Sequence, residues 1–523
     1  MRPLGGILLL LALPAFAKAS SPLSLQYHVL LLRPNSHLID VEIEAGDVQQ
    51  PFLDFVMPAW SPGRYAIYNF AKNVQQFEAT GINGQPLPWI NTDKDTWKVD
   101  ASTARGAVRV RYRVFANDLS GTFAQFDPTH ADINGASVYM YVAGHKRDPI
   151  TLSVQPPSAW GSKVRIIDGF SDSTAQNTFQ APDYDRLIDT PVEVCTDCVL
   201  AHFSDQGKLF RVVVHSYGAG DEDTAQWTDN LTHGLEKIVK SEMAMMPDPD
   251  FKEYTFLFHV SPFVSSGDGM EHLNSTSIVM SGVTGTETLS QAFELAAHEF
   301  FHAWNVKRLR PVGLGPFDYT REVYTRSLWF AEGVTTYYAY MTLYRCGIWN
   351  QQELLDRLAS EIRQLRSDPG RTMMSAESSS FDAWFYDGAP QFQKTNFANS
   401  TISYYNKGAI LGMLLDLEIR ERTDGQKSLD DLLRSMYREF YEAPGASYYL
   451  PGRGYTERDI LQAANKVSGS DFGPFFQKYI SGTQPLPYAK VLGDAGLELS
   501  VGNALGTAPS IGAVTAPVEN GYR

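Results

Sequence analysis

Between Leu23 and Leu200 apolar and polar residues alternate in short runs: LQYHVLLL (25–32), LIDVEIEA (38–45), AVRVRYRVFA (107–116) and ASVYMYVAG (136–144), with Gly, Pro and Asn between them. A period of two puts one face of a strand in a core and the other in water, and the intervening turn residues reverse the chain. The pattern predicts an N-terminal antiparallel β-sandwich-like domain over residues 20–205.

After about residue 225 the period changes. TAQWTDNLTHGLEKIVKSEMAMM (224–246) has apolar residues at helical spacing, YTFLFHV (254–260) is strand-like, and several long helical patterns follow. One of them places Leu289, Phe293, Ala296, Ala297, Phe300, Phe301 and Trp304 on a broad apolar face. Thr288 and Gln291 read as a capping box at its start, and Pro311 closes it. A mixed α/β region followed by helices is therefore expected over 206–485, and the residues beyond, rich in Gly, Ala and Pro, read as a tail. No tandem repeat is visible.

Composition narrows the class. The chain has 523 residues, 43% hydrophobic, 20% charged and 12% aromatic, which suits a soluble globular protein of several domains. Its formal net charge of -15 lacks the basic surface a nucleic-acid partner needs. The local basic cluster Lys307-Arg308-Leu309-Arg310 reads as cations at a helix C-terminus. Asn230, Asn274 and Asn399 fall in N-x-S/T sequons, and the last two are read as chance matches.

Residues 1–19 have a basic start at Arg2, an apolar run from Ile7 to Leu13, and small residues at Ala15, Ala17 and Ala19. This is the pattern of a cleaved secretory signal, so the protein is expected to be exported, periplasmic or secreted. No stretch has the roughly 20 apolar residues of a stable transmembrane helix. Of three cysteines, Cys195 and Cys198 are expected to form a local disulfide and Cys346 to be buried.

The chemistry concentrates in LAAHEFFHAWNVKRLRP (295–311). His298 and His302 stand four residues apart, one helical turn, so both imidazoles can meet one tetrahedral ion. Glu299 lies beside that face, where its carboxylate can take a proton from a metal-bound water. Downstream, Glu332 in LWFAEGVTTYY (328–338) falls in a second helical pattern. It would complete a His/His/Glu set and leave a fourth position open, as a catalytic zinc requires.

The pairing of HEFFHAWNVKRLRP with LWFAEGVTTYY resembles the gluzincin metallopeptidases, and among them the glycyl aminopeptidase family. MPAWSPGRYAIYNFAKN (57–73) and YDRLIDTPVEV (184–194) resemble further segments of that family. The resemblance implies a multidomain α+β protein: the β domain, a thermolysin-like α/β catalytic domain over 206–345 and a helical domain over 346–485 completing the active site. PLPYAKVLGDAGLELS (485–500) resembles the entry to the family's PDZ domain, so 486–523 is expected to be the start of a truncated one.

Two further elements take their roles from the resemblance. Gly269-Met270-Glu271-His272 is similar to the G-x-M-E-N substrate-binding element of related aminopeptidases, which implies that Gly269 and Met270 contact substrate and that Glu271 holds its N-terminal amine. Asp268 departs from the glycine usual in that loop, which bears on the loop's shape. Tyr404-Tyr405-Asn406-Lys407-Gly408 resembles the Y-x-K-G element and implies Tyr405 as oxyanion donor, with Tyr404 a packing neighbour.

The expected activity is an exported aminopeptidase with one zinc ion, removing small N-terminal residues such as Gly or Ala from peptides with a free N-terminus. Two rivals stay open: an endopeptidase or broad-specificity peptidase on the same site, and a non-catalytic binding or scaffold protein with a vestigial metal site.

Overall fold

A computed structural model describes residues 21–168, 177–218, 220–385, 395–442 and 453–500, with a short strand pair at 517–518 and 521–522. The expected signal segment, 1–19, lies outside the described residues.

The alternating runs become neighbouring strands. Ser24–Arg33, Leu38–Gly46 and Ala107–Phe115 lie side by side in a six-stranded sheet. Along Ala107–Phe115 the residues Val108, Val110, Tyr112 and Val114 are buried. The alternate positions Arg109, Arg111 and Arg113 sit opposite Glu44, Glu42 and Asp40 and pair with them. A one-residue slip would turn the apolar set to water and set the arginines into the core, so the pattern specifies the register. Phe52–Val56, Trp89–Asn91, Thr96–Asp100 and Tyr141–Val142 form a four-stranded sheet sharing a core with the first, and Gln125–Phe126, His130–Ile133, Arg165–Asp168 and Val192–Cys195 form another.

Two details differ from the antiparallel expectation. Ser24–Arg33 pairs with Ile150–Gln155 in parallel, because the intervening chain builds much of the other sheets before it returns. The run 136–144 is mostly not strand: Gly135–Val138 is a helical turn and only Tyr141–Val142 pairs. The whole run from Ala136 to Val142 is buried, and tyrosine hydroxyls replace the missing ladder. Tyr27 donates to the Met140 carbonyl at 2.8 Å, Tyr112 to Val138 at 2.9 Å and Tyr184 to Tyr139 at 2.6 Å.

The second half centres on a five-stranded sheet in the order Val199–Asp205, Lys208–Ser216, Glu253–Ser261, Ser275–Ser281, Asp268–Glu271. The middle three strands are parallel and both edge strands antiparallel, so Asp268–Glu271 presents a free edge within this sheet. Helices Asp221–Met245 and Thr286–Phe301 share a core with it through Leu231, Leu235, Ile238, Ala292, Ala296 and Phe300. The helices Thr335–Arg345, Gln351–Ser367, Tyr404–Arg422, Leu429–Phe440 and Glu457–Ser468 extend this core. Among the described residues no helix is long and apolar enough to cross a membrane.

The helix carrying the paired histidines begins earlier and ends earlier than its periodicity suggests. Gly285 is its N-cap, and the Thr288 hydroxyl, from the third position, accepts from the Gly285 amide at 3.0 Å, so Thr288 is inside the helix rather than before it. The helix stops at Phe301, and Trp304 is buried from the turn that follows. The basic cluster does more than meet a dipole. Buried Lys307 pairs with Asp189 at 2.9 Å, while buried Arg308 pairs with Asp250 and donates to the Leu273 and Ala303 carbonyls. These bonds pin the exit of the helix to both halves of the chain.

Cys195 and Cys198 form the expected disulfide, and Cys346 is half-buried. Asn274 is buried and accepts from Arg186 at 2.7 Å, which agrees with reading its sequon as chance. Of the tail, Tyr488–Asp494 is a helix and 517–518 pairs with 521–522; the rest of the stretch from 501 lies outside the described residues, and no PDZ-like start is seen in what is described.

Candidate active site

His298 and His302 leave the same side of the helix, and their Nε2 atoms approach to 3.0 Å. The Nδ1 of His302 lies 2.5 Å from the Asn305 carbonyl, a bond that places the proton on Nδ1 and turns the Nε2 lone pair inward. Asn305 is held in turn by donating to the Phe330 carbonyl at 3.0 Å and to Thr335 Oγ1 at 3.1 Å. The turn after the helix thus fixes the imidazole.

Glu332 reaches the same point. Its Oε2 lies 3.5 Å from His298 Nε2 and 3.2 Å from His302 Nε2. Three ligands about 2.1 Å from one tetrahedral ion would stand roughly 3.4 Å apart, so the triangle has the right size for zinc. Glu332 lies in a π-helical turn, Trp329–Val334, that runs into Thr335–Arg345. Its other oxygen, Oε1, accepts from the Tyr65 hydroxyl at 2.8 Å, which orients the carboxylate.

The adjacent glycine explains how this turn is placed. A Cβ on Gly333 would lie 2.4 Å from Gly408 Cα, and one on Gly408 would lie 2.3 Å from the Trp329 carbonyl oxygen. The two backbones therefore touch, and the helix Tyr404–Arg422 lies directly against the turn. This contact brings Tyr405 into the cleft wall, its ring centroid 6.1 Å from that of His298. Tyr404 is buried behind it, edge-on to Tyr65.

Glu299 is buried, and its Oε2 has no hydrogen-bond partner among the described residues. A Cβ on Gly269 would fall 2.1 Å from Glu299 Oε1, so the bare backbone of the edge strand is the surface against which this carboxylate rests. Met270 is fully buried, whereas Gly269 lines a cleft of about 380 Å³ together with His298, Glu299 and Tyr405. Glu271 is buried, and one of its oxygens lies within 4.8 Å of ligand atoms of Glu299 and His302. It lines a separate small cavity of about 30 Å³ with Trp60, Gly63, Tyr65 and Phe317.

The electrostatics follow from crowding carboxylates around two imidazoles. Burial works against the charge on Glu332, but His302 and His298 outweigh it and hold the carboxyl well below its usual range. Burial also opposes a charged His302, but Glu332, Glu271 and Glu299 overcome this and push the imidazole up to about 10. Burial pushes Glu299 up to about 8, helped by the charges of Glu271 and Glu332. The pocket therefore calls for a cation, and the donor set of two imidazoles and a carboxylate suits zinc.

A model of the Peptidase M61 N-terminal domain matches residues 26–196, and a model of the M61 glycyl aminopeptidase matches residues 291–411, together more than half of the chain. The chain belongs to the M61 glycyl aminopeptidase family. It is a peptidase, and its family and fold support zinc-dependent aminopeptidase action. A solved structure of an aminopeptidase N family protein from Idiomarina loihiensis is similar at 27% identity and a TM-score of 0.81, covering 90% of this chain and 78% of that one. An M1 zinc metallopeptidase from Deinococcus radiodurans shares the fold, with 12% identity, a TM-score of 0.50 and coverage of 89% and 94%. No curated protein matches.

For this family member the structure adds residues that sequence reasoning passed over. Arg64 donates to both oxygens of Asp268 at 2.6 and 2.7 Å, and the Gly121 amide donates to Asp268 Oδ2 at 2.8 Å. The aspartate that departs from the usual glycine is thus gripped by the N-terminal β region. Asn406 donates to the Glu361 carbonyl at 3.1 Å, and Arg357 pairs with Glu294 at 2.6 Å, closing the far wall of the cleft. Tyr65 and Arg64 both lie in 57–73, a stretch that resembles the family, and that resemblance is their only signal in the sequence.

Proposed function

We propose that His298, His302 and Glu332 hold one zinc ion and that Glu299 is the general base of an aminopeptidase. The convergence of the three ligand atoms beside an unpartnered Glu299 oxygen carries this reading. When bound, the ion polarises the scissile carbonyl and acidifies water. Glu299 removes the proton of the attacking water and returns it to the leaving amine. Tyr405 donates its hydroxyl to the oxyanion, a contact worth about 10²–10³ in kcat.

Glu271 takes the substrate's ammonium, which fixes the first residue at the reacting centre. The cleft-facing part of the edge strand, at Asp268 and Gly269, pairs with the peptide backbone, whereas Met270 is buried and does not reach substrate. A preference for Gly or Ala rests on the likeness to the glycyl aminopeptidase family, and a panel of free peptides differing in the first residue tests it. Export rests on the pattern of residues 1–19, and N-terminal sequencing of the mature protein tests it.

Glu299→Gln should retain zinc and lose hydrolysis; turnover at the wild-type rate would remove Glu299 from the role of base. Free peptides should be cleaved and their N-acetylated forms should not. Equal cleavage of both would replace the aminopeptidase reading with an endopeptidase.

A further inference from the structure

Away from the cleft, where the four-stranded sheet of Gln125–Phe126, His130–Ile133, Arg165–Asp168 and Val192–Cys195 meets the five-stranded sheet, a second group of ligand-type side chains is buried. His130 and Asp132 come from one strand, Glu193 from its neighbour, and His215 and His259 from facing positions of Lys208–Ser216 and Glu253–Ser261. Each is at most 2% exposed.

These groups satisfy one another only in part. Among the described residues, His130 Nε2, His215 Nδ1, His259 Nδ1, Glu193 Oε1 and Asp132 Oδ1 are buried without a hydrogen-bond partner. Buried polar atoms in native proteins are almost always partnered, so five in one cluster require an explanation. One ligand atom from each of His130, Glu193 and His259 lies within 4.8 Å of the others, and His259 Nε2 approaches Glu193 Oε2 to 3.2 Å. This is the same donor set as at the cleft, at a spacing one ion can bridge.

The surroundings orient the imidazoles. Asp127 Oδ2 lies 3.3 Å from His130 Nδ1 and accepts the Tyr217 hydroxyl. A carboxylate on one ring nitrogen fixes the tautomer and leaves the other nitrogen as a ligand. His215 Nε2 is similarly engaged, by Thr129 Oγ1 at 3.2 Å and Asp197 at 3.3 Å.

We propose that His130, Glu193 and His259 form a second, structural site for a divalent ion of the zinc class. The enclosure leaves no place for substrate, which separates this site from a catalytic one. His130 and Glu193 come from one sheet and His259 from the other, so the ion cross-links them.

The test is the zinc content of the full chain carrying His298→Ala and His302→Ala, after loading with zinc and removal of excess by gel filtration. About one equivalent should remain, against about two in the wild type. A folded variant with no zinc overturns the proposal, and because the cleft histidines are absent, this outcome is independent of the function proposed above. Anomalous diffraction at the zinc edge from wild-type crystals should show a peak between His130 and His259. No peak there overturns the site, even if the cleft is occupied.

Discussion

Gly269, which the family resemblance implies as a substrate contact, has a second task by its position. The Glu299 carboxylate occupies the space where a side chain would begin, 2.1 Å from a Cβ at that position. Gly269→Ala must therefore displace the Glu299 carboxylate or the edge strand. A misplacement of about 1 Å can cost roughly 10²-fold in rate. The expected result is a kcat lower by about that factor with zinc content and melting temperature close to wild type. Steady-state kinetics beside metal analysis checks it, and an unchanged kcat would show that Glu299 has room to yield.

At the scale of elements, the helix with the paired histidines and the strand alternation were legible because each repeats its own period many times. The π-helical turn around Glu332 was not, since nothing in WFAEGV distinguishes it from an ordinary helix. What places it is the contact of Gly333 with Gly408, two glycines 75 positions apart. In a solvent-facing helix, replacing glycine by alanine stabilises by about 1 kcal/mol. Here Gly408→Ala would set a methyl group 2.3 Å from the Trp329 carbonyl oxygen, so the sign reverses. A loss of about 2 kcal/mol or more is expected in denaturant unfolding, with weaker zinc retention because Glu332 moves with the turn. On the same helix, burial lowers the Lys407 ammonium to about 8. Its unfolded value is near 10.4, so between these pH values the unfolded chain binds a proton that the native chain does not. Lys407 therefore opposes folding fully below pH 8, and this cost fades as pH rises towards 10. Lys407→Met should melt higher than wild type at pH 7, with the difference vanishing near pH 10.

In the whole molecule, the site is built from both halves of the chain. The helix with the paired histidines, the π-helical turn and the edge strand belong to the second half, whereas Tyr65, Gly63 and Arg64 reach the site from the first. Sequence spacing cannot disclose such joins: Arg64 and Asp268 are 204 residues apart, and Asp268 alone reads as a departure from a motif. Paired, it is a clasp, in which one carboxylate takes two bonds from a guanidinium and one from the Gly121 amide. Both side chains are less than a third exposed, so removing either leaves a partly buried charge unmatched. Arg64→Ala and Asp268→Ala should each loosen the strand that carries Gly269 and Glu271, raising KM and lowering kcat/KM by about tenfold, with zinc retained. Because both act through one contact, the double variant should be little worse than either single one, a coupling of about 1.4 kcal/mol, one tenfold factor. Measuring kcat/KM for the four proteins decides it: losses that simply multiply would mean that Arg64 and Asp268 serve the cleft separately, and the β region would then be joined to the active site through Tyr65 and Gly63 instead.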